Sequence, residues 1–86
     1  MELRIEHAHS LKDKRQVVKS LKDRLRSKFN VAVAEIDALD VWQRAVIAAV
    51  TVAGERSYAE KVLQSVENEA AGLLGGMLVE AGIEWL

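Results

Sequence analysis

The apolar residues of this chain alternate between a two-residue and a 3.6-residue period in six successive segments, and that order leaves few folds open. Met1 to Glu6 sets Leu3 and Ile5 against Glu2, Arg4 and Glu6, the pattern of a half-buried strand. From Ser10 the period lengthens. Ser10 is placed to accept from the first-turn N–H groups of a helix, and Asp13 falls in its positive first turn. Leu11, Val18, Leu21, Leu25 and Phe29 then share one stripe, with Val17 at its edge, which predicts a helix to about Lys28 or Phe29. Lys14 falls inside that stripe. Its stem is expected to pack while its ammonium reaches solvent.

Alternation returns at Val31 to Asp37, with Ala32, Ala34 and Ile36 on one face and Val33 and Glu35 on the other. The turn formers Asp37-Ala38-Leu39-Asp40 lead to a third strand, expected over Val41 to Ala53. In it Trp42, Arg44, Val46, Ala48, Val50 and Val52 oppose Gln43, Ala45, Ile47, Ala49 and Thr51. Both faces of its second half are apolar, which marks a central strand, and the short link predicts an antiparallel hairpin. Ser57-Tyr58-Ala59-Glu60 has the form of a capping box, with Ser57 as N-cap and Glu60 reaching back. The second helix buries Ala59, Val62, Leu63, Val66, Ala70, Leu73 and Leu74 and stops at Gly75-Gly76. Met77 to Leu86 alternates again as a fourth strand.

Strand-helix-strand-strand-helix-strand in 86 residues is one domain, 1–86. Two right-handed crossovers make it an α+β, ferredoxin-like βαββαβ sandwich: a four-stranded antiparallel sheet with two helices on one face. The other face is expected to hold Ala45, Ile47 and Ala49 in its middle and Glu2, Arg4, Glu6, Glu80 and Glu84 at its rims. A face of that kind is suited to a homodimer.

Composition excludes several chemistries. With no cysteine there is no disulfide scaffold, Cys-based zinc ribbon, iron–sulfur site or thiol catalysis. No apolar run is long enough to span a bilayer, so no membrane contact is expected and the location is expected to be cytoplasmic. The formal net charge of −1 hides an asymmetry. Residues 10–30 hold eight basic residues against two acids, a local charge of +6, and the remainder holds four against eleven, a charge of −7. Lys12, Arg15, Lys19, Lys22 and Arg26 follow one another at spacings of three and four, within a fan of about 80° on the first helix. Such a row can track a phosphate backbone; the alternative is a solvated helix face beside the core stripe. Apart from the row, isolated Phe29 and Tyr58 offer no stacking platform, so RNA contact is expected to read shape and charge.

Two strings carry a resemblance. His9-Ser10-Leu11-Lys12-Asp13-Lys14-Arg15-Gln16-Val17-Val18-Lys19-Ser20-Leu21, and Val33-Ala34-Glu35-Ile36-Asp37 followed by Asp40-Val41-Trp42-Gln43-Arg44-Ala45, resemble the signature of the YlxP-like family of small bacterial proteins, a domain of unknown function. The resemblance covers roughly residues 2 to 53; the second half is similar in pattern more than in motif. The resemblance independently implies a ferredoxin-like fold. It implies no enzymatic activity. Genes of the family commonly stand among translation-initiation and ribosome-maturation genes, which implies ribosomal RNA or a ribosomal protein as the expected partner. Members carry several more residues before the first strand, so the first strand here is expected to be short and to lose ladder hydrogen bonds.

The remaining candidates are few. Trp42, with Arg44 beside it, is either a core residue closing the end of the sandwich, which is the expectation, or a partly exposed contact for a partner. Ile47 joins them as a candidate interaction residue on the open face. His7 and His9 stand two apart without supporting ligands, so no metal is expected. The loop His7-Ala8-His9-Ser10 lacks the Arg and Asn with which a small acylphosphatase cradles phosphate, and no nucleophile–base order is present. No enzyme and no cofactor are expected. The leading reading is a non-enzymatic ribosome- or RNA-associated protein; a self-associating interaction module and a small-ligand regulatory domain are the alternatives.

Overall fold

Ser10 starts the first helix as its side chain demands. In the computed structural model, which describes residues 1–85, its hydroxyl accepts from the Asp13 N–H at 3.1 Å, and its backbone is extended (φ −161°, ψ 165°). The elements are β1 (Glu2–Arg4), α1 (Leu11–Lys28), β2 (Ala32–Asp37), β3 (Arg44–Val50), α2 (Arg56–Leu74), a 3₁₀ turn (Gly75–Met77) and β4 (Leu78–Glu80). The sheet order is β2-β3-β1-β4, and every neighbouring pair is antiparallel. This is the ferredoxin-like βαββαβ order.

One core joins the layers. Leu3, Ile5, Val33, Ala45 and Ile47 from the sheet side meet Val18, Leu21 and Leu25 of α1 and Val66, Ala70 and Leu74 of α2. Both helices therefore cover the same sheet face. The same cluster corrects the expected phase of β3. Ala45 and Ile47, placed on the open face from alternation, are 0% and 1% exposed beneath the helices. The hairpin is apolar on both sides, so its own pattern is ambiguous. Pairing decides: Leu3, whose phase the β1 pattern does fix, sits opposite Ala45. The open face instead carries Arg44, Val46, Ala48 and Val50 with Glu2 and Arg4, and Ala32, Ala34 and Ile36 of β2.

Several boundaries differ from expectation. The third strand runs Arg44–Val50 and not Val41 to Ala53: residues 38–43 form a fastened connection ahead of it, and a register shift after Glu35 sets Asp37 opposite Val46. The fourth strand is shorter than expected: Leu78 and Glu80 pair with Leu3 and Glu2 of β1, with a register shift between the two pairs. Residues 81–85 leave the sheet, and Arg56 lies over the Trp85 ring at 4.5 Å. Leu86, the end of the expected strand, lies outside the described residues. The short β1 is indeed three residues long, yet pairing with the β3 side continues: Ile5 N–H donates to the Gln43 carbonyl (2.9 Å) and Ile47 N–H to that of Met1 (2.8 Å).

The second helix begins earlier than its capping box predicts. Glu55 is its N-cap, through a carbonyl that accepts from the Ala59 N–H at 3.1 Å, and its side chain makes no cap bond. Ser57 is already helical, so it cannot act as the cap. The helix ends where two glycines follow, with Gly75 at φ +56°. Among the described residues, no helix is long and apolar enough to cross a membrane.

Candidate functional site

The eight cations of residues 10–30 divide by helix face. On the flank of α1 that faces α2, Arg24 and Lys28 both reach Glu69 at 3.0 Å. Those hydrogen bonds, Lys28 first and then Arg24, hold the Glu69 carboxyl below the ordinary carboxylate range. On the other flank, Arg15, Lys19, Lys22 and Arg26 line a shallow open groove of about 400 Å³ between α1 and β2, where Val18, Asp23 and Glu35 also contribute. Lys12 is exposed at the N-terminal end of the same flank. Arg26 donates to the Val33 carbonyl of the edge strand β2 at 2.8 Å, which ties up one acceptor of an otherwise open sheet edge. Lys19 pairs with Asp23 at 2.6 Å in full solvent, and its hydrogen bond is the main cause that lowers the Asp23 carboxyl. Lys12, Arg15 and Lys22 have no ion-pair partner among the described residues.

The eighth cation departs from expectation. Lys14 is wholly buried, and its ammonium does not reach solvent. Its Nζ lies 2.8 Å from Glu35 Oε2, 2.8 Å from the Ala38 carbonyl and 3.1 Å from that of Leu39, with the Arg44 carbonyl more distant at 3.4 Å. A buried ammonium is tolerated only when paired and fully hydrogen-bonded, and here all its donors are occupied. One signal for this was present in the sequence. Lys14 stands on the core stripe with Val18, Leu21 and Leu25, and Glu35 stands on the inward face of β2 with Val33. An inward lysine and an inward glutamate on neighbouring elements must find each other.

The interaction candidates separate. Trp42 is not a core residue: it lies in the connection ahead of β3 and is 51% exposed. Arg44 stays on the open face, where its Nε donates to Glu2 Oε1 at 2.7 Å; that bond keeps the guanidinium more firmly protonated than usual. Ile47 belongs to the core and cannot meet a partner. His7 and His9 are exposed, and the His9 N–H donates to Asp13 Oδ2 at 3.0 Å. Among the described residues, no group of three or more His, Asp or Glu side chains is arranged to hold a metal ion.

The two strings that carried the resemblance are physically joined at the buried lysine. Lys14 comes from the first, and Glu35 and the Arg44 carbonyl come from the second. A family model described as "Protein of unknown function (DUF503)" matches residues 1–81. The chain belongs to this family. It is also 44% identical, over 59 residues, to the "Uncharacterized protein YlxP" of Bacillus subtilis (strain 168), a match that takes in 69% of this chain and 64% of that relative. The aligned part of this DUF503 chain thus spans about two thirds of the relative's length.

Proposed function

We propose that this DUF503 domain is a non-enzymatic binding protein whose α1 flank holds structured RNA, ribosomal RNA being the expected source. The reading rests on one observation. The α1 flank turned toward α2 spends its cations on Glu69, whereas Lys12, Arg15 and Lys22 on the opposite flank have no acidic partner among the described residues. From Lys12 to Arg26 the row runs along about 21 Å of helix. Lys19 is held only by a solvent-exposed pair, which contributes little and exchanges readily for a phosphate. The open sheet face has no aromatic side chain on β2 or β3, so the contact reads charge and shape.

The test is fluorescence anisotropy of a labelled RNA hairpin across a salt series. Five phosphate contacts give a slope of log affinity against log salt of roughly −3.5 to −4.5. Lys19→Glu with Lys22→Glu is expected to weaken binding at least about tenfold, with an unchanged circular dichroism spectrum. Equal binding by the charge-reversed protein defeats the proposal.

A second reading has its own support. Ala32, Ala34, Ile36, Val46, Ala48 and Val50 form an apolar area across β2 and β3, with Ile36 and Val50 more than half exposed. Its rim carries both signs, Arg4 and Arg44 with Glu2 and Glu80, which suits a second copy of the same face. Light scattering of the full chain is expected to show a dimer that Val50→Asp returns to monomer. A monomeric mass at every concentration removes this reading.

A further inference from the structure

The connection between β2 and β3, residues 38–43, combines two properties that rarely coincide. It is fastened from both sides. Lys14 donates to the carbonyls of Ala38 and Leu39, Val41 N–H donates back to Ala38 at 3.1 Å, and Gln43 Nε2 donates to the carbonyls of Glu6 (3.0 Å) and Ala8 (3.2 Å). Yet its apolar side chains point outward: Leu39 is 58%, Val41 48% and Trp42 51% exposed. Ala38 holds a left-handed backbone (φ 59°) that favours glycine, so the connection is locked in a strained form. Surface loops are ordinarily polar and mobile. A rigid loop that exhibits a tryptophan is a preorganised anchor, since little ordering entropy remains to be lost on contact.

We propose that this ridge docks a segment of a partner protein in which an arginine adjoins a large apolar residue. The charge around the ridge selects that chemistry. Asp40 shares a shallow depression with Val41, Trp42 and Gln43. Asp37 stands at the entry to the loop, Lys14 is neutralised by Glu35, and Arg44 is held by Glu2. The local field is therefore anionic, which repels phosphate and attracts a cation. A guanidinium can lie on the exposed indole face and bond the Asp40 carboxylate, while its apolar neighbour covers Val41 and Leu39. This chain already uses the first of these contacts internally, Arg56 over Trp85. The ridge is a different surface from the α1 flank, and the two proposals fail separately.

The probe is a phage-displayed library of random linear peptides selected against the full chain. Binding is then read by Trp42 emission in a Trp85→Phe background. Selected peptides are expected to carry Arg beside a large apolar residue. Trp42→Ala is expected to weaken them about 30-fold, and Leu39→Ser, which alters only an exposed side chain, about fivefold. Asp40→Asn lowers both affinity and its salt dependence, and Lys19→Glu with Lys22→Glu leaves binding unchanged. Failure to select any peptide overturns the proposal, as does selection of peptides indifferent to Trp42. So does a Trp42 response to oligouridylate, which reassigns the ridge to base stacking. Self-association that Trp42→Ala abolishes overturns it in favour of a second copy.

Discussion

Replacing Lys14 with methionine removes one ammonium and nothing else of comparable size. It leaves the Glu35 carboxylate, whose side chain is 14% exposed, without its counter-ion, the Leu39 carbonyl without its lysine donor, and the Ala38 carbonyl with only the Val41 N–H. Breaking a buried pair in this way costs about 3–5 kcal/mol. The lower end applies, because Glu35 lines the groove beside α1 and can take up water there. Stability for 86 residues is roughly 4–13 kcal/mol at the usual value per residue. A loss of about 3 kcal/mol lowers Tm by roughly 12–24 °C. Adding Glu35→Gln is expected to restore about 2 kcal/mol, since no unpaired charge is then left beside the core. Urea unfolding followed by circular dichroism measures both. Hydrogen exchange at residues 38–43 should accelerate in Lys14→Met beyond the global loss. A single variant within about 1 kcal/mol of the parent refutes the clasp, as does an additive double variant.

Other expectations follow from single contacts. Ser10→Ala loses the α1 cap and about 1 kcal/mol, whereas Ser57→Ala, inside α2, changes stability by less than about 0.5 kcal/mol; urea midpoints compare them, and equal losses overturn the placement of the α2 start. The Lys28 and Arg24 contacts lower the Glu69 carboxyl, so their stabilisation is present above the ordinary carboxylate range and is lost as pH falls through the lowered value. Glu69→Gln should therefore melt below the parent at neutral pH and converge with it in acid; a gap that widens in acid contradicts this. Ile47→Asp buries a charge in the core and is expected to abolish the cooperative thermal transition, while an intact, soluble Ile47→Asp domain would return Ile47 to the open face.

The element order, the antiparallel sheet, the Ser10 cap and the cationic row on α1 were all legible in local pattern. Each depends on spacing within a segment or on the order and linkage of segments, and both are what a sequence displays. Patterns that were ambiguous within one segment were settled by contacts between segments. The phase of β3 depended on Leu3 facing Ala45, since the strand is apolar on both sides. The fate of Lys14 depended on Glu35 and three carbonyls brought from 21 to 30 residues away. The exposure of Trp42 followed from that clasp, because it holds residues 38–43 out of β3. The sequence therefore determined which elements form and where charge gathers. Packing decided which apolar side chain is hidden and which is shown, since burial belongs to a pair of surfaces and cannot be read from either one alone.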